Sequence, residues 1–173
     1  MNDVIDDIND KLADLDFLSD SSNDQHLTFE LSGERYAIDI LRVQEIKGWN
    51  KVTSIPNSPG YVEGVINLRG VIVPIIDLRK RFAMPQVAYT KTTVVIVMKV
   101  YGDVHDRTMG IIVDSVSDVC NISREMIKPA PVMRGVISND FVQGLTTVNK
   151  QMIIVVNIDE LLNSGELALE KVS

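Results

Sequence analysis

The chain has 173 residues, of which 45% are hydrophobic and 5% aromatic, and its formal net charge is −7. The length suits one domain or two small ones that share a core, and the negative charge argues against non-specific binding to nucleic acid. The lone Cys120 excludes an internal disulfide, and the longest apolar runs, such as residues 94–98, are too short to span a bilayer. We therefore expect a cytoplasmic protein without a membrane-inserted segment.

The first 26 residues form an acidic tail. They hold eight aspartates and one lysine, which account for the whole net charge. Apolar residues, among them Ile5, Ile8 and Leu12, recur at helical spacing. Because a helix of this length is marginal on its own in water, the tail is predicted to be either a short amphipathic helix or disordered.

Short strands replace the helical pattern from residue 27 onward. Residues 27–31 and 36–40 flank a Ser-Gly-Glu turn and predict a hairpin, and a third strand is expected over residues 45–52. Arg69 and Gly70 then separate two β-branched runs and predict a second tight hairpin.

Proline and the short gaps between strands limit the possible topologies. Pro74 has no N–H to donate, so it is expected at a sheet edge or a bulge. The second half predicts, in order, strands over residues 92–100 and 109–113, a helical turn over 121–127, a hairpin of 141–148 with 152–158, and a closing helix from 159 to about 169. No gap accommodates a regular series of crossover helices, which favours small antiparallel barrels.

The two halves of the sequence align with each other. Residues 61–78 match 141–158, so that Tyr61 aligns with Phe141 and Gly64 with Gly144. Residues 36–38 likewise match 109–111, and residues 43–46 match 116–119. Each half is therefore predicted to form a five-stranded unit. Five strands in about 65 residues make a small closed or nearly closed barrel.

No catalytic or metal-binding pattern is found in the sequence. His26 in the linker and His105 in a polar loop do not lie at metal-ligand spacing, and one cysteine cannot complete a thiolate site. Phosphate-binding loops, dinucleotide fingerprints and nucleophile elbows are missing as well. Asp77, Asp114 and Asp159 follow apolar strands, and we interpret them as caps of turns or helices. We expect no enzyme activity, cofactor or metal.

Residues 64–78, Gly-Val-Ile-Asn-Leu-Arg-Gly-Val-Ile-Val-Pro-Ile-Ile-Asp-Leu, resemble the hallmark of the CheW-type coupling proteins of bacterial chemotaxis. Residues 36–46 are similar to the first half of this CheW-like domain family, and residues 110–119 and 128–131 to its second half. The resemblance extends from residue 27 to about 165 and is especially close to the enteric-type members. The acidic tail is not part of the family pattern.

The resemblance implies a mostly β fold of two tandem five-stranded SH3-like barrels that share a hydrophobic core, with short helices and a C-terminal helix. The expected segments are a tail over 1–26, a CheW-like domain over 27–165, barrel one over about 27–84, barrel two over about 90–158, and a C-terminal helix and tail over 159–173. Exchange of strands between the ends of the barrels stays open.

The resemblance also implies a non-enzymatic adaptor with two partners. These are the regulatory domain of a CheA-type histidine kinase and the cytoplasmic tips of methyl-accepting chemoreceptors, to whose membrane clusters the adaptor is recruited. Such an adaptor controls kinase activity and array assembly. The alternative is a purely structural module that nucleates arrays without transmitting a signal.

Two groups of contact residues are implied. Receptor contacts are expected at Val43, Glu45, Gly64 and Arg69, and kinase contacts at Val132 and Met133. Other roles stay open for the first group. Val43 is compatible with core packing, Glu45 with a solvated charge, and Arg69 with an internal salt bridge to Asp39 or Glu45.

Overall fold

The computed structural model describes residues 2–15, 25–102, 106–129 and 141–163. The strands are β1 (Gln25–Leu31), β2 (Glu34–Asp39), β3 (Val43–Gly48), β4 (Val62–Leu68), β5 (Val71–Asp77), β6 (Val94–Val100), β7 (Arg107–Val113), β8 (Ser115–Asn121), β9 (Val142–Val148) and β10 (Gln151–Val156). The helices are α1 (Asn2–Leu15), α2 (Leu78–Arg81) and α3 (Ile158–Asn163), with 3₁₀ turns at Ile40–Arg42 and Arg124–Met126.

These strands form two five-stranded sheets, which confirms the mostly β fold. The first sheet has the order β8-β1-β2-β10-β9 and the second the order β3-β6-β7-β5-β4. Each sheet takes two strands from one half of the chain and three from the other. The first two strands of each half join the last three strands of the other half, so the segments 27–84 and 90–158 do not each correspond to one sheet.

The exchange also creates two parallel strand pairs within a largely antiparallel fold. β10 pairs with β2, and β5 pairs with β7, in parallel. The pattern of short gaps favoured antiparallel pairing, because it reports on strands that are adjacent in sequence. Strands β2 and β10 are separated along the chain by the whole second sheet, and β5 and β7 by α2 and β6, so neither parallel pair is joined by a short local connection.

The internal repeat is confirmed in the register of these pairs. Ala37 lies opposite Val155, and its repeat equivalent Gly110 lies opposite Ile75. Equivalent bridges also connect Thr53 to β4 and Lys128 to β9. In each sheet, the chain that leaves one edge strand therefore meets the other edge strand. This arrangement is consistent with the expected barrels.

Apolar side chains form a core shared by both sheets and a smaller cluster within each. The shared core contains Ile76 and Val156, whereas the preceding residues Ile75 and Val155 point into the separate clusters of their own sheets. Side chains alternate along a strand, so a strand between two cores must be apolar at successive positions. This requirement explains the continuous Val/Ile runs of the sequence.

Pro74 lies in a central strand, so the prediction of an edge or a bulge at this residue was wrong. It faces Val65 of β4, whose N–H and carbonyl both bond to Thr53 instead. On the other side of β5, the register with β7 covers Ile75–Asp77 and stops before the proline. Neither neighbour therefore requires a donor from Pro74.

The termini of the described chain add helices to the sheets. The tail is helical over Asn2–Leu15, and the closing helix is described over Ile158–Asn163, beyond which its predicted continuation lies outside the described residues. None of the helices in the described ranges has the length and apolar character needed to cross a membrane.

Candidate functional site

The β4–β5 hairpin presents Arg69 at its tip. Arg69 and Gly70 have φ values of 51° and 87°, and the Gly70 N–H donates to Asn67 Oδ1 at 2.9 Å. Two successive positive φ values produce the tight turn that matches the twist of the flanking strands. The Arg69 side chain is consequently 76% exposed.

Arg69 is paired with Glu45 of β3. Its Nη1 lies 2.8 Å from Glu45 Oε1, which confirms the internal ion pair as a role for Arg69. The buried Oε1 nevertheless has no hydrogen-bond partner, so the contact is an ion pair only. Glu45 is 20% exposed, so the pair holds a mostly solvated guanidinium over a largely buried carboxylate. A pair of this kind contributes about 0–1 kcal/mol to stability, which leaves the guanidinium available to a partner.

The other two expected receptor residues are buried. Val43 is 8% exposed and packs in the shared core. Gly64 is buried, and a Cβ at this position would lie 2.1 Å from the Thr53 carbonyl oxygen. The structure therefore brings Glu45 and Arg69 into contact and places Val43 in the lining of the same surface depression, whereas Gly64 lies against Thr53 and does not line it.

Several apolar side chains near Arg69 are exposed, and they were not predicted from the sequence as part of the site. Val71 and Ile72 are 52% and 60% exposed, and Leu41 is 44% exposed. Leu41, Glu45 and Arg69 line a shallow depression of about 650 Å³. Exposed apolar groups next to a charge are typical of a protein-binding surface. The sequence did contain a signal that Ile72 is exposed. Ile72 comes shortly after the hairpin tip, and side chains alternate along a strand, so it lies on the face opposite Val73.

The β9–β10 hairpin, which is the repeat equivalent of β4–β5, also has an exposed apolar side chain near its tip. Met152, the repeat equivalent of Ile72, is 61% exposed. Met126, Lys128 and Met152 line another depression of about 470 Å³. The expected kinase residues Val132 and Met133 lie outside the described residues, so the structure does not relate them to this depression.

Two of the three aspartates that follow apolar strands, Asp77 and Asp159, have structural partners near the site. Asp77 is 1% exposed and caps α2 by accepting from the Arg79 N–H at 2.9 Å. It also accepts from the Tyr89 hydroxyl at 2.6 Å, and burial together with this bond raises the pKa of Tyr89. Asp159 accepts two bonds from Arg42, at 2.9 and 2.6 Å. The interpretation as a helix cap is confirmed for Asp77. Asp159 has a structural role of another kind, as the ion-pair partner of Arg42.

Residues able to bind metals are dispersed in the described ranges. No group of three or more histidine, cysteine or acidic side chains there is arranged to hold an ion. His26 belongs to β1 and is 7% exposed, so its placement in a linker was wrong. Cys120 is half-buried beside the cluster of the first sheet, and burial raises its pKa.

Comparison with known proteins gives a consistent assignment for this two-sheet body. The model of the CheW-like domain matches residues 25–166. A chemotaxis protein CheW of Klebsiella aerogenes is 48% identical over 145 residues, which cover 84% of this chain and 85% of the relative. A chemotaxis protein CheW of Treponema pallidum is 36% identical over 143 residues, which cover 83% and 84%.

A solved structure shares the fold. The crystal structure of the scaffolding protein TtCheW from Thermoanaerobacter tengcongensis aligns with a TM-score of 0.74 at 33% identity, and the alignment covers 84% of this chain and 90% of that one. The similarity spans both sheets and therefore extends well beyond the segment of residues 64–78.

Proposed function

Because the chain belongs to the CheW-like domain family, we propose that it is a non-enzymatic chemotaxis adaptor that couples chemoreceptors to a CheA-type histidine kinase. The observation that carries this proposal is the family match over residues 25–166, which includes every strand of both sheets. The relatives are named as chemotaxis proteins and the solved one as a scaffolding protein. On this proposal the protein acts in the cytoplasm and is recruited to clusters of membrane receptors.

The receptor is proposed to bind at the tip of the β4–β5 hairpin. Arg69 offers a solvated guanidinium with several fixed donors, which suits carboxylates or carbonyl groups on a receptor helix. Leu41 in the same depression and Ile72 on the same hairpin offer exposed apolar area. Val43 supports this surface from the core, whereas Gly64 contributes by allowing the close approach of Thr53 to β4.

The kinase is proposed to bind around Val132 and Met133. This apolar pair follows a Pro-Ala-Pro segment, and charged residues are depleted at the centres of protein interfaces. Separate sites for the two partners would let one small protein bridge them. Such a bridge influences the kinase through the free energy that couples the two sites.

Co-sedimentation tests the bridge directly. Receptor-bearing membrane vesicles and purified kinase are mixed with or without the protein, and the kinase in the pellet is measured. We expect the kinase to pellet with receptor vesicles only when the protein is present. Met133→Asp should release the kinase while the variant itself still pellets. Pelleting of the kinase that does not depend on the protein would contradict the proposal.

A further inference from the structure

Helix α1 lies against the edge strands of both sheets. Ile8 and Leu12, four residues apart, are 2% and 8% exposed and belong to the shared core. Val4 of the same helix is 43% exposed, and the aspartates at positions 6, 7 and 10 face solvent. The acidic tail thus buries one apolar stripe and leaves an acidic outer surface.

Polar contacts fix α1 to both edges. Asn9 Nδ2 donates to the Ile46 carbonyl at 3.1 Å, and the Ile46 N–H donates to Asn9 Oδ1 at 3.0 Å. A single amide side chain therefore binds the free edge of β3 in the way a neighbouring strand would. Lys11 lies 3.7 Å from Asp118 of β8. The groove occupied by α1 is formed by β3 and β8, which are equivalent strands in the internal repeat.

The groove is continuous with the face proposed for the receptor. Asn9, Leu12 and Ala13 line the same depression as Glu45 and Arg69. The matched family domain begins at residue 25, so α1 lies outside the matched region. Helix α1 therefore occupies space next to Arg69 at the hairpin tip, while its apolar stripe and the Asn9 amide fill the groove.

We propose that α1 is an internal competitor that occupies the groove between β3 and β8 and must leave it before a receptor helix binds there. The inference rests on the proposed receptor-binding function. The partner is an amphipathic helix, because α1 shows that the groove accepts apolar residues four positions apart together with a polar group for the β3 edge. A helix of 14 residues is marginal in isolation, so its docking is readily reversed.

Affinity for a soluble fragment of a chemoreceptor's cytoplasmic tip tests the competition. The full chain is compared with a variant that lacks residues 1–24 and with Ile8→Asp, which places a charge in the buried stripe. Apparent affinity falls with the fraction of molecules in the competent state, so a helix docked in about 90% of molecules weakens binding about tenfold. Both variants should bind the fragment about tenfold more tightly than the full chain. Val4→Asp adds the same charge on the exposed side and should leave the affinity unchanged.

A peptide of residues 2–15 adds a second test. Added to the truncated protein, it should weaken binding of the receptor fragment. Kinase binding, measured in parallel, shows that each variant is folded, and Ile8→Asp provides the test if the truncation fails to fold. Equal or weaker binding of the fragment by folded Ile8→Asp would overturn the competition. Failure of every form to bind the fragment would instead overturn the proposed receptor function itself.

Discussion

Two glycines of the repeat stand where another segment of the chain passes too close for a side chain. A Cβ on Gly64 would lie 2.1 Å from the Thr53 carbonyl oxygen, and one on Gly144 would lie 2.5 Å from that of Lys128. Both contacts belong to the bridges that join the edges of each sheet. Both glycines therefore allow the edges of a sheet to approach each other, which a side chain at either position would prevent.

Gly64→Ala should destabilise the protein. The added methyl group meets backbone, which cannot move aside as a side chain could, and overpacking of this kind costs about 1–3 kcal/mol. Thermal unfolding should show a clear fall in the melting temperature. Gly60→Ala is the matched control, because a Cβ there has no neighbour within 4 Å. Equal melting temperatures for the two variants would show that the approach of Thr53 does not constrain residue 64.

Short elements are held to the sheets by buried or half-buried ion pairs. Arg79 of α2 donates to Asp114 through Nε at 2.8 Å and Nη2 at 2.6 Å, and the Ser32 N–H donates to the same carboxylate at 2.9 Å. Asp114 thereby connects α2, the β1–β2 turn and the junction of β7 with β8. Burial alone would raise the pKa of Asp114, but these bonds and the Arg79 charge hold it below its ordinary value.

Asp114→Asn should therefore lower stability in a pH-dependent manner. A carboxylate with a depressed pKa in the folded state stabilises the protein above its unfolded pKa of about 3.9, and this contribution is lost as the pH falls through the folded value. Above about pH 5 we expect the variant to be less stable than wild type by about 1–2 kcal/mol. This value lies near the lower part of the range for hydrogen bonds to charged groups, because Asp114 stays partly solvated. Denaturant unfolding at several pH values measures the difference.

The difference between wild type and Asp114→Asn should shrink at acid pH. Exposed Asp106 provides the control, and Asp106→Asn should change stability little at any pH. A difference for Asp114→Asn that stays constant down to pH values well below 4 would contradict the role of its ionised form.

At the scale of the whole molecule, the repeat builds two equivalent sheets that exchange strands. Each sheet contains strands from both halves of the chain. One sheet consists of β1 and β2 with β8–β10, and the other of β6 and β7 with β3–β5. Arg81 adds a contact across this arrangement, with its guanidinium 5.1 Å from the Tyr61 ring and 4.9 Å from the equivalent Phe141 ring. The two sheets are therefore expected to unfold as one cooperative unit.

The sequence predicted the features that depend on neighbours along the chain. The hairpin at Arg69-Gly70 followed from two β-branched runs around a glycine, and the repeat followed from matched residues such as Gly64 and Gly144. Among the site residues, a salt bridge from Arg69 to Asp39 or Glu45 was an alternative that the sequence left open, and the structure shows the pair with Glu45.

Features that depend on distant residues could not be predicted in this way. The spacing of Ile8 and Leu12 indicated an apolar stripe but not the two edge strands that bury it. Pro74 is tolerated in a central strand because Thr53 binds its neighbour Val65, a contact that no local pattern indicates. The exposure of Ile72 likewise depends on which sheet face the rest of the chain covers.

Receptor control of kinase phosphorylation is the most direct test of the central claim that this adaptor transmits a signal through the Arg69 face. Kinase, receptor vesicles and the protein are combined with ATP, and the rate of kinase phosphorylation is measured with wild type, Arg69→Glu, the charge swap Arg69→Glu/Glu45→Arg, and Lys150→Glu, which changes the charge at the other hairpin tip. We predict receptor-dependent control with wild type and Lys150→Glu and its loss with Arg69→Glu at an unchanged melting temperature. The swap should re-form the ion pair without restoring control. Array assembly without any change in phosphorylation by wild type, or normal control by Arg69→Glu, would contradict the account.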